Sequence, residues 1–203
     1  MSKQYLISVA TADELSPLFI AGALPCSVLI TGVGMMQCAS TLSYYLSQHT
    51  FDYILHVGIA GAVNKTFKIG ELVQVNKSYM PELGCENKED FIPIDQLGLS
   101  NYAPFEFENT SLDVTQLKLA TAWSVNKVHG FQPTIDATFL RYKADIETME
   151  SAAIASVCQR FKIPFNEVRC ISNYVENRNR AAWDIPLAIH NLCNYVSVFS
   201  WPQ

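Results

Sequence analysis

Apolar residues recur along this chain in two rhythms, and the switch between them outlines the fold. Short, nearly continuous apolar runs occur at Tyr5-Leu6-Ile7-Ser8-Val9, Ser27-Val28-Leu29-Ile30-Thr31 and Tyr53-Ile54-Leu55-His56-Val57. Two more follow at Leu72-Val73-Gln74-Val75, entered through Gly70, and from Phe165 to Ile171 after Pro164. Runs of this length and composition predict strands. Between them, Met35, Cys38, Ala39, Leu42 and Leu46 repeat at helical spacing, as do Ile154, Val157, Cys158 and Phe161, and Ile189, Leu192, Cys193 and Val196. Each such stripe covers one face of a sheet. Apolar strands alternating with amphipathic helices predict an α/β sandwich with a largely parallel central sheet. Ligands of such sheets bind at the carboxyl ends of the strands. The stretch from Tyr79 to Thr110, rich in Pro, Glu and Asn, has no clear period and reads as a long surface excursion. With no repeat and no linker, residues 1–203 read as a single domain.

Composition narrows the function. Lys and Arg number 14 against 19 Asp and Glu, a net charge of −5, and 49% of residues are hydrophobic. That excludes a disordered chain and disfavours a phosphate-backbone binder, which needs a basic face. No apolar run approaches the roughly 20 residues of a membrane-spanning helix. Met1-Ser2-Lys3-Gln4 leads into a short apolar run without a small-residue cleavage site. The six cysteines are scattered through apolar patterns, as small buried hydrophobes are in a reducing compartment. A cytoplasmic protein is expected. The histidines show no metal-ligand spacing, and no metal or other cofactor is expected.

Several polar residues stand where a sheet of this kind binds ligands. Gly32-Val33-Gly34 follows the second strand and opens a helix, an arrangement suited to a tight turn or a close backbone approach. A dinucleotide fingerprint needs a further glycine where Gln37 stands. Gly58-Ile59-Ala60-Gly61 closes the third strand in the same way. Asp13 and Glu14 lie just past the first strand, either as first-turn helix acids or as a base that activates water. Glu147 and Glu150 precede the Ile154 helix; solvated first-turn acids are the default, but the apolar flanks suggest a polar partner. Arg169 inside an apolar strand demands a carboxylate or a ligand. Asn173, at the end of that strand, offers a donor and an acceptor to a ring edge.

Taken together, these segments resemble the purine nucleoside phosphorylase and nucleosidase family. The resemblance rests on Ala10-Thr11-Ala12-Asp13-Glu14, Gly32-Val33-Gly34, Gly58-Ile59-Ala60-Gly61, Gly70-Glu71-Leu72-Val73, Met149-Glu150-Ser151-Ala152-Ala153 and Arg169-Cys170-Ile171-Ser172-Asn173, in family order. Asn177-Arg178-Asn179-Arg180-Ala181-Ala182-Trp183 looks like the branch that hydrolyses futalosine. The resemblance implies a three-layer α/β/α sandwich around a mixed, partly barrel-like sheet, assembled as a homodimer or higher oligomer. It implies cleavage of a purine–ribose bond through a ribosyl cation. Glu14 then matches the water-activating base, Glu150 the carboxylate on the ribose hydroxyls, and Met149 a residue beside the sugar. Asn173 takes the position that contacts the leaving purine, with Arg169 supporting the acids. Gly34, Ala60, Gly61 and, from the Val125–Phe131 segment, His129 join the substrate-binding set. Arg178 and Arg180 are candidates for the substrate's carboxylate end. Ala62 departs from the family pattern, where many relatives carry another glycine.

Two finer distinctions follow. An asparagine at 173 cannot supply a proton as an aspartate can, but it matches the carbonyl and N–H of a 6-oxopurine such as hypoxanthine. Phosphate recognition is an arginine speciality, and the chain has no arginine before Arg141, so water is the expected nucleophile. An adenine-releasing nucleosidase, a phosphorylase and a non-catalytic nucleoside-binding module stand as alternatives.

Overall fold

The computed structural model describes residues 3–24, 26–98, 105–106 and 117–201. In chain order the elements are β1 (Tyr5–Val9), α1 (Ser16–Ala21), β2 (Ser27–Ile30), α2 (Met35–Gln48), β3 (Tyr53–Ala62) and β4 (Leu72–Tyr79). There follow β5 (Gly84–Asn87), β6 (Asp90–Pro93), β7 (Phe105–Glu106), β8 (Lys118–Ser124) and α3 (Gln132–Arg141). The chain continues with β9 (Ile146–Thr148), α4 (Ser151–Phe161), β10 (Phe165–Tyr174) and α5 (Ile185–Val198).

The main sheet is mixed. β1 is parallel to β2 and β3, β3 to β10, and β8 to both β4 and β9, whereas β10–β4, β3–β9 and β4–β7 are antiparallel. β3 is twice the length that its apolar run predicts, and the extra half has a purpose. Tyr53–Val57 pair with β1, while Gly61 and Ala62 pair with β9 along the same edge. The pairings β3–β10–β4–β8–β9–β3 thereby close a ring.

Gly58 and Gly61 are consequently not turn residues, as the sequence pattern suggests, but strand residues that make room. A Cβ at Gly58 would stand 2.3 Å from Arg169 Nη1 and 2.9 Å from Glu14 Oε1. At Gly61 it would stand 3.1 Å from Asn173 Nδ2. Gly32 and Gly34 do turn the chain, with φ of +84° and +88°, a region that side chains disfavour.

Alternation along β1 and β3 separates two apolar clusters. Leu6 and Ile54 pack with Cys38 and Leu42 of α2 and Ile154 and Cys158 of α4. Ile7, Val9, Leu55 and Val57 pack with Leu15, Leu18 and the inner stripe of α5 (Ala188, Leu192, Cys193, Val196). Both stripes follow the helical spacing read from the chain. Sequence reading missed α1, α3, β8 and β9, which are short or weakly patterned. Within the Tyr79–Thr110 excursion, the structure forms a small β5–β6 hairpin; residues 99–104 and 107–110 lie outside the described set. All six cysteines are free, and among the described residues no helix is long and apolar enough to cross a membrane.

Candidate active site

A cavity of about 300 Å³ opens where β1, β3, β9 and β10 end. Its lining includes Glu14, Ala60, Gly61, His129, Met149, Glu150, Arg169 and Asn173. Eight of the nine residues assigned to catalysis and substrate binding therefore meet in one place, from segments more than 150 residues apart, whereas Arg178 and Arg180 do not line it. The ninth, Gly34, does not line the cavity. Its N–H instead donates to Glu150 Oε1 at 2.9 Å, while Val33 of the same corner lines the cavity.

Glu14 sits in a 3-10 turn (Ala12–Leu15) just after β1 and is buried. The first-turn reading of this residue holds locally. It closes a capping box, with its Oε2 accepting from Thr11 N–H at 3.0 Å. Its Oε1 reaches across to accept from Ile59 N–H at 3.0 Å. Burial pushes the Glu14 carboxyl above its usual range, against the opposing pull of Arg169 and the two backbone N–H groups. A carboxylate so placed is a stronger base than a solvated one.

Glu150 stands at the N-cap of α4, where its carbonyl accepts from Ala153 and Ile154 N–H, but its side chain makes no capping bond. Its side chain turns inward, accepting from Gly34 and, at 3.3 Å, from Arg169 Nη2. Glu147 and Glu150 are only 5% and 4% exposed, so the solvated default for these acids is overturned. Glu147 accepts from the His129 backbone N–H at 3.0 Å and pairs with His129 Nδ1. His129 Nε2 lies 3.1 Å from Thr138 Oγ1, and the ring leans on Trp123. Both ring nitrogens are engaged within the protein, so His129 meets the cavity as a fixed wall.

Arg169 is fully enclosed, as an arginine in an apolar strand requires. Its Nε donates to Glu167 Oε1 at 2.7 Å, Nη1 to Ile59 O at 3.4 Å, and Nη2 to Glu150 and to His56 Nε2 at 2.8 Å. Burial works against its charge, but Glu167, Glu150 and Glu14 outweigh burial and hold it above the ordinary value. Sequence reading missed Glu167 and His56. The signal was present: Glu167 and Arg169 are two apart in an apolar strand and therefore share one face.

A bulge at Ser172 sets Asn173 opposite Gly61. Asn173 Nδ2 donates to Tyr174 O at 3.0 Å, and its Oδ1 accepts from Ser172 Oγ at 2.8 Å. One N–H and one lone pair of the amide stay free of these bonds. Trp183, Ile185 and Ile189 complete the apolar lining. The exposed Arg178 and Arg180 stack over Trp183, at 5.4 and 5.8 Å from its ring centre. Among the described residues, no group of three or more His, Cys, Asp or Glu side chains is placed to hold a metal ion.

Residues 12–197 match the family model described as the Phosphorylase superfamily. The chain belongs to that superfamily. It is similar to a futalosine hydrolase of Acidothermus cellulolyticus, 29% identical over 81% of this chain and 71% of the relative. It is 28% identical to a futalosine hydrolase of Thermus thermophilus over 83% of this chain and 78% of the relative. Among solved structures, the native futalosine hydrolase of Helicobacter pylori superposes with a TM-score of 0.79 at 17% identity, over 97% of both chains. A 5'-methylthioadenosine/S-adenosylhomocysteine nucleosidase of Colwellia psychrerythraea in complex with adenine gives 0.78 at 16% identity, over 97% of this chain and 94% of that one.

Proposed function

We propose that this superfamily member is a nucleosidase that hydrolyses the N-glycosidic bond of futalosine, releasing hypoxanthine and dehypoxanthine futalosine. The observation that carries the reading is the convergence of Glu14, Glu150 and Asn173 on one cavity, in a chain similar to futalosine hydrolases. Glu14 takes a proton from water, and that water attacks the sugar carbon as its bond to the purine breaks; the purine leaves with the bonding electron pair and takes its proton from solvent. Positive charge grows on the ribose during this step, and the carboxylates of Glu14 and Glu150 stabilise it. Glu150 also binds the ribose hydroxyls, with Met149 packed beside the sugar and Ala60, Gly61 and His129 bounding the rest. Asn173 meets the purine edge with its free N–H and lone pair, a match to a 6-oxopurine.

Water rather than phosphate fits the cavity's charge. Arg169 lines it but is committed to Glu167 and Glu150, and two carboxylates stand beside it. An anionic nucleophile meets repulsion there. In the same reading the chain is one domain with the family's three-layer sandwich and a largely parallel sheet. It works in the cytoplasm as a homodimer or higher oligomer, needs no cofactor, and serves menaquinone biosynthesis. A second reading, an adenine-releasing nucleosidase, draws support from a methylthioadenosine/S-adenosylhomocysteine nucleosidase of Buchnera aphidicola, 23% identical over 79% of this chain. Product analysis after incubation with futalosine or methylthioadenosine, with and without phosphate, tests both. Free hypoxanthine and a free sugar without phosphate dependence are expected; a sugar phosphate or a clear adenine preference would overturn the first reading.

A further inference from the structure

A row of polar residues crosses three strands beneath the cavity. Ser8 pairs in register with His56, and His56 with Glu167. All three are fully buried. They lie on the face that packs against α2 and α4, between apolar positions such as Leu6, Ile54 and Ile171. Arg169 follows two residues after Glu167 on the same face, opposite Gly58, whose missing Cβ leaves space for the guanidinium.

The hydrogen bonds of this row have one consistent direction. Arg169 can only donate, so His56 Nε2 accepts its Nη2 proton at 2.8 Å. The imidazole proton then sits on Nδ1 and is donated to Ser8 Oγ at 2.9 Å. Ser151, the first residue of α4, donates to Glu167 Oε1 at 2.6 Å, beside the 2.7 Å bond from Arg169 Nε. Among the described residues, Glu167 Oε2 has no hydrogen-bond partner. A buried ionic row of this kind is a poor device for stability, since apolar residues of similar volume pack as well or better. Its outlet to the cavity is the Arg169 fork.

We infer that Glu167 and His56 are positioning residues for the hydrolytic reaction, bracing Arg169 from below so that its fork meets Glu150 and its charge does not fall undivided on Glu14. The inference rests on the nucleosidase reading above. An arginine aimed at the place where a ribosyl cation forms opposes catalysis unless it is countered. Glu167 supplies the counter-charge from the side away from substrate. The other ionisable groups turned toward this cluster are Glu14, Glu150, and the thiols of Cys38 on α2 and Cys158 on α4, which burial holds in the protonated form. Burial and the neighbouring guanidinium hold the His56 ring neutral, as its acceptor role requires.

The test compares the wild type with Glu167→Gln, His56→Leu and His56→Gln, measuring kcat and KM across about pH 5 to 9 and folding by circular dichroism. For Glu167→Gln, kcat should fall about tenfold or more with KM within about threefold. Its acid limb should move to lower pH, because an uncountered Arg169 draws the Glu14 carboxyl down. His56→Leu should lose kcat to a similar degree. His56→Gln should restore most of it, since the amide oxygen can accept the Nη2 proton. A folded Glu167→Gln enzyme with unchanged kcat and acid limb overturns the inference. So does a kcat loss that merely tracks lost folded protein while the limb stays in place. If Glu167→Gln does not fold, the His56 pair decides: equal kcat in the Leu and Gln variants overturns the brace, and rescue by Gln supports it. Absence of nucleoside hydrolysis by the wild type overturns the nucleosidase reading instead.

Discussion

Two rows cross β3 and β10 a few residues apart, and they use the same residue types in opposite ways. In the first, His56 and Glu167 flank one another in register and both serve Arg169, so a cation organises the row. In the second, Asn173 and Glu147 lie on either side of Gly61, and the carboxylate is taken up by His129. The first row lies buried under α2 and α4; the second faces the cavity. The difference teaches that burial alone does not identify a reacting group. Under the proposed chemistry, carboxylates belong where positive charge grows on the sugar. A neutral amide beside an internally satisfied His–Glu pair belongs where the purine departs.

The comparison breaks most severely if the charged end is emptied. Glu150→Ala removes the carboxylate that Gly34 and Arg169 both serve, and steady-state kcat/KM for the preferred nucleoside should fall by about 10²–10⁴. Gly58→Ala introduces a Cβ that would stand 2.3 Å from Arg169 Nη1, displacing the fork without altering any charge. Its kcat should fall about tenfold or more, because small misplacements of a catalytic group are costly. Wild-type kcat in that variant would show that the fork's position is unimportant.

Acidification separates the ends without mutation. Burial holds the Glu14 carboxyl above 4.5, so kcat/KM should fall as pH drops through that raised value, about tenfold per unit below it. An acid limb at or below 4.5 would contradict the burial argument. The smallest change acts at the second row. Asn173→Asp can hold a proton where the amide cannot, and the ratio of adenine to hypoxanthine nucleoside hydrolysis should rise by about threefold to tenfold. An unchanged ratio would place purine discrimination elsewhere.

Much of this arrangement was legible in the chain because apolar pattern and sheet geometry are local. The runs at Tyr5, Tyr53 and Phe165 became β1, β3 and β10, and the helical stripes of α2, α4 and α5 face the cores as their spacing requires, except Phe161 at the end of α4, which is exposed. The apolar pattern alone does not show the mixed sheet or its closure, which only the family resemblance implies, because antiparallel contacts such as Gly61–Glu147 depend on strands as short as β9. At the site, single conspicuous residues were found and their supports were not. Arg169 stands out in an apolar strand, but its acceptor His56 comes from a strand 113 residues away. The hydrogen bond from Gly34 to Glu150 is hidden for a related reason: a glycine N–H free to meet a ligand and one donating to a carboxylate look alike in sequence.

Replacing Glu14 by Gln bears most directly on the claim that this cavity splits a nucleoside with water. The substitution keeps the size of the side chain and one acceptor oxygen, for Ile59 or for Thr11 but not for both, and removes the base. Binding of the nucleoside, followed by calorimetry, should stay within about threefold of wild type, while single-turnover hydrolysis should drop by about 10²–10⁴. Hydrolysis at the wild-type rate, or a wild-type protein that binds the nucleoside and never cleaves it, would contradict the account.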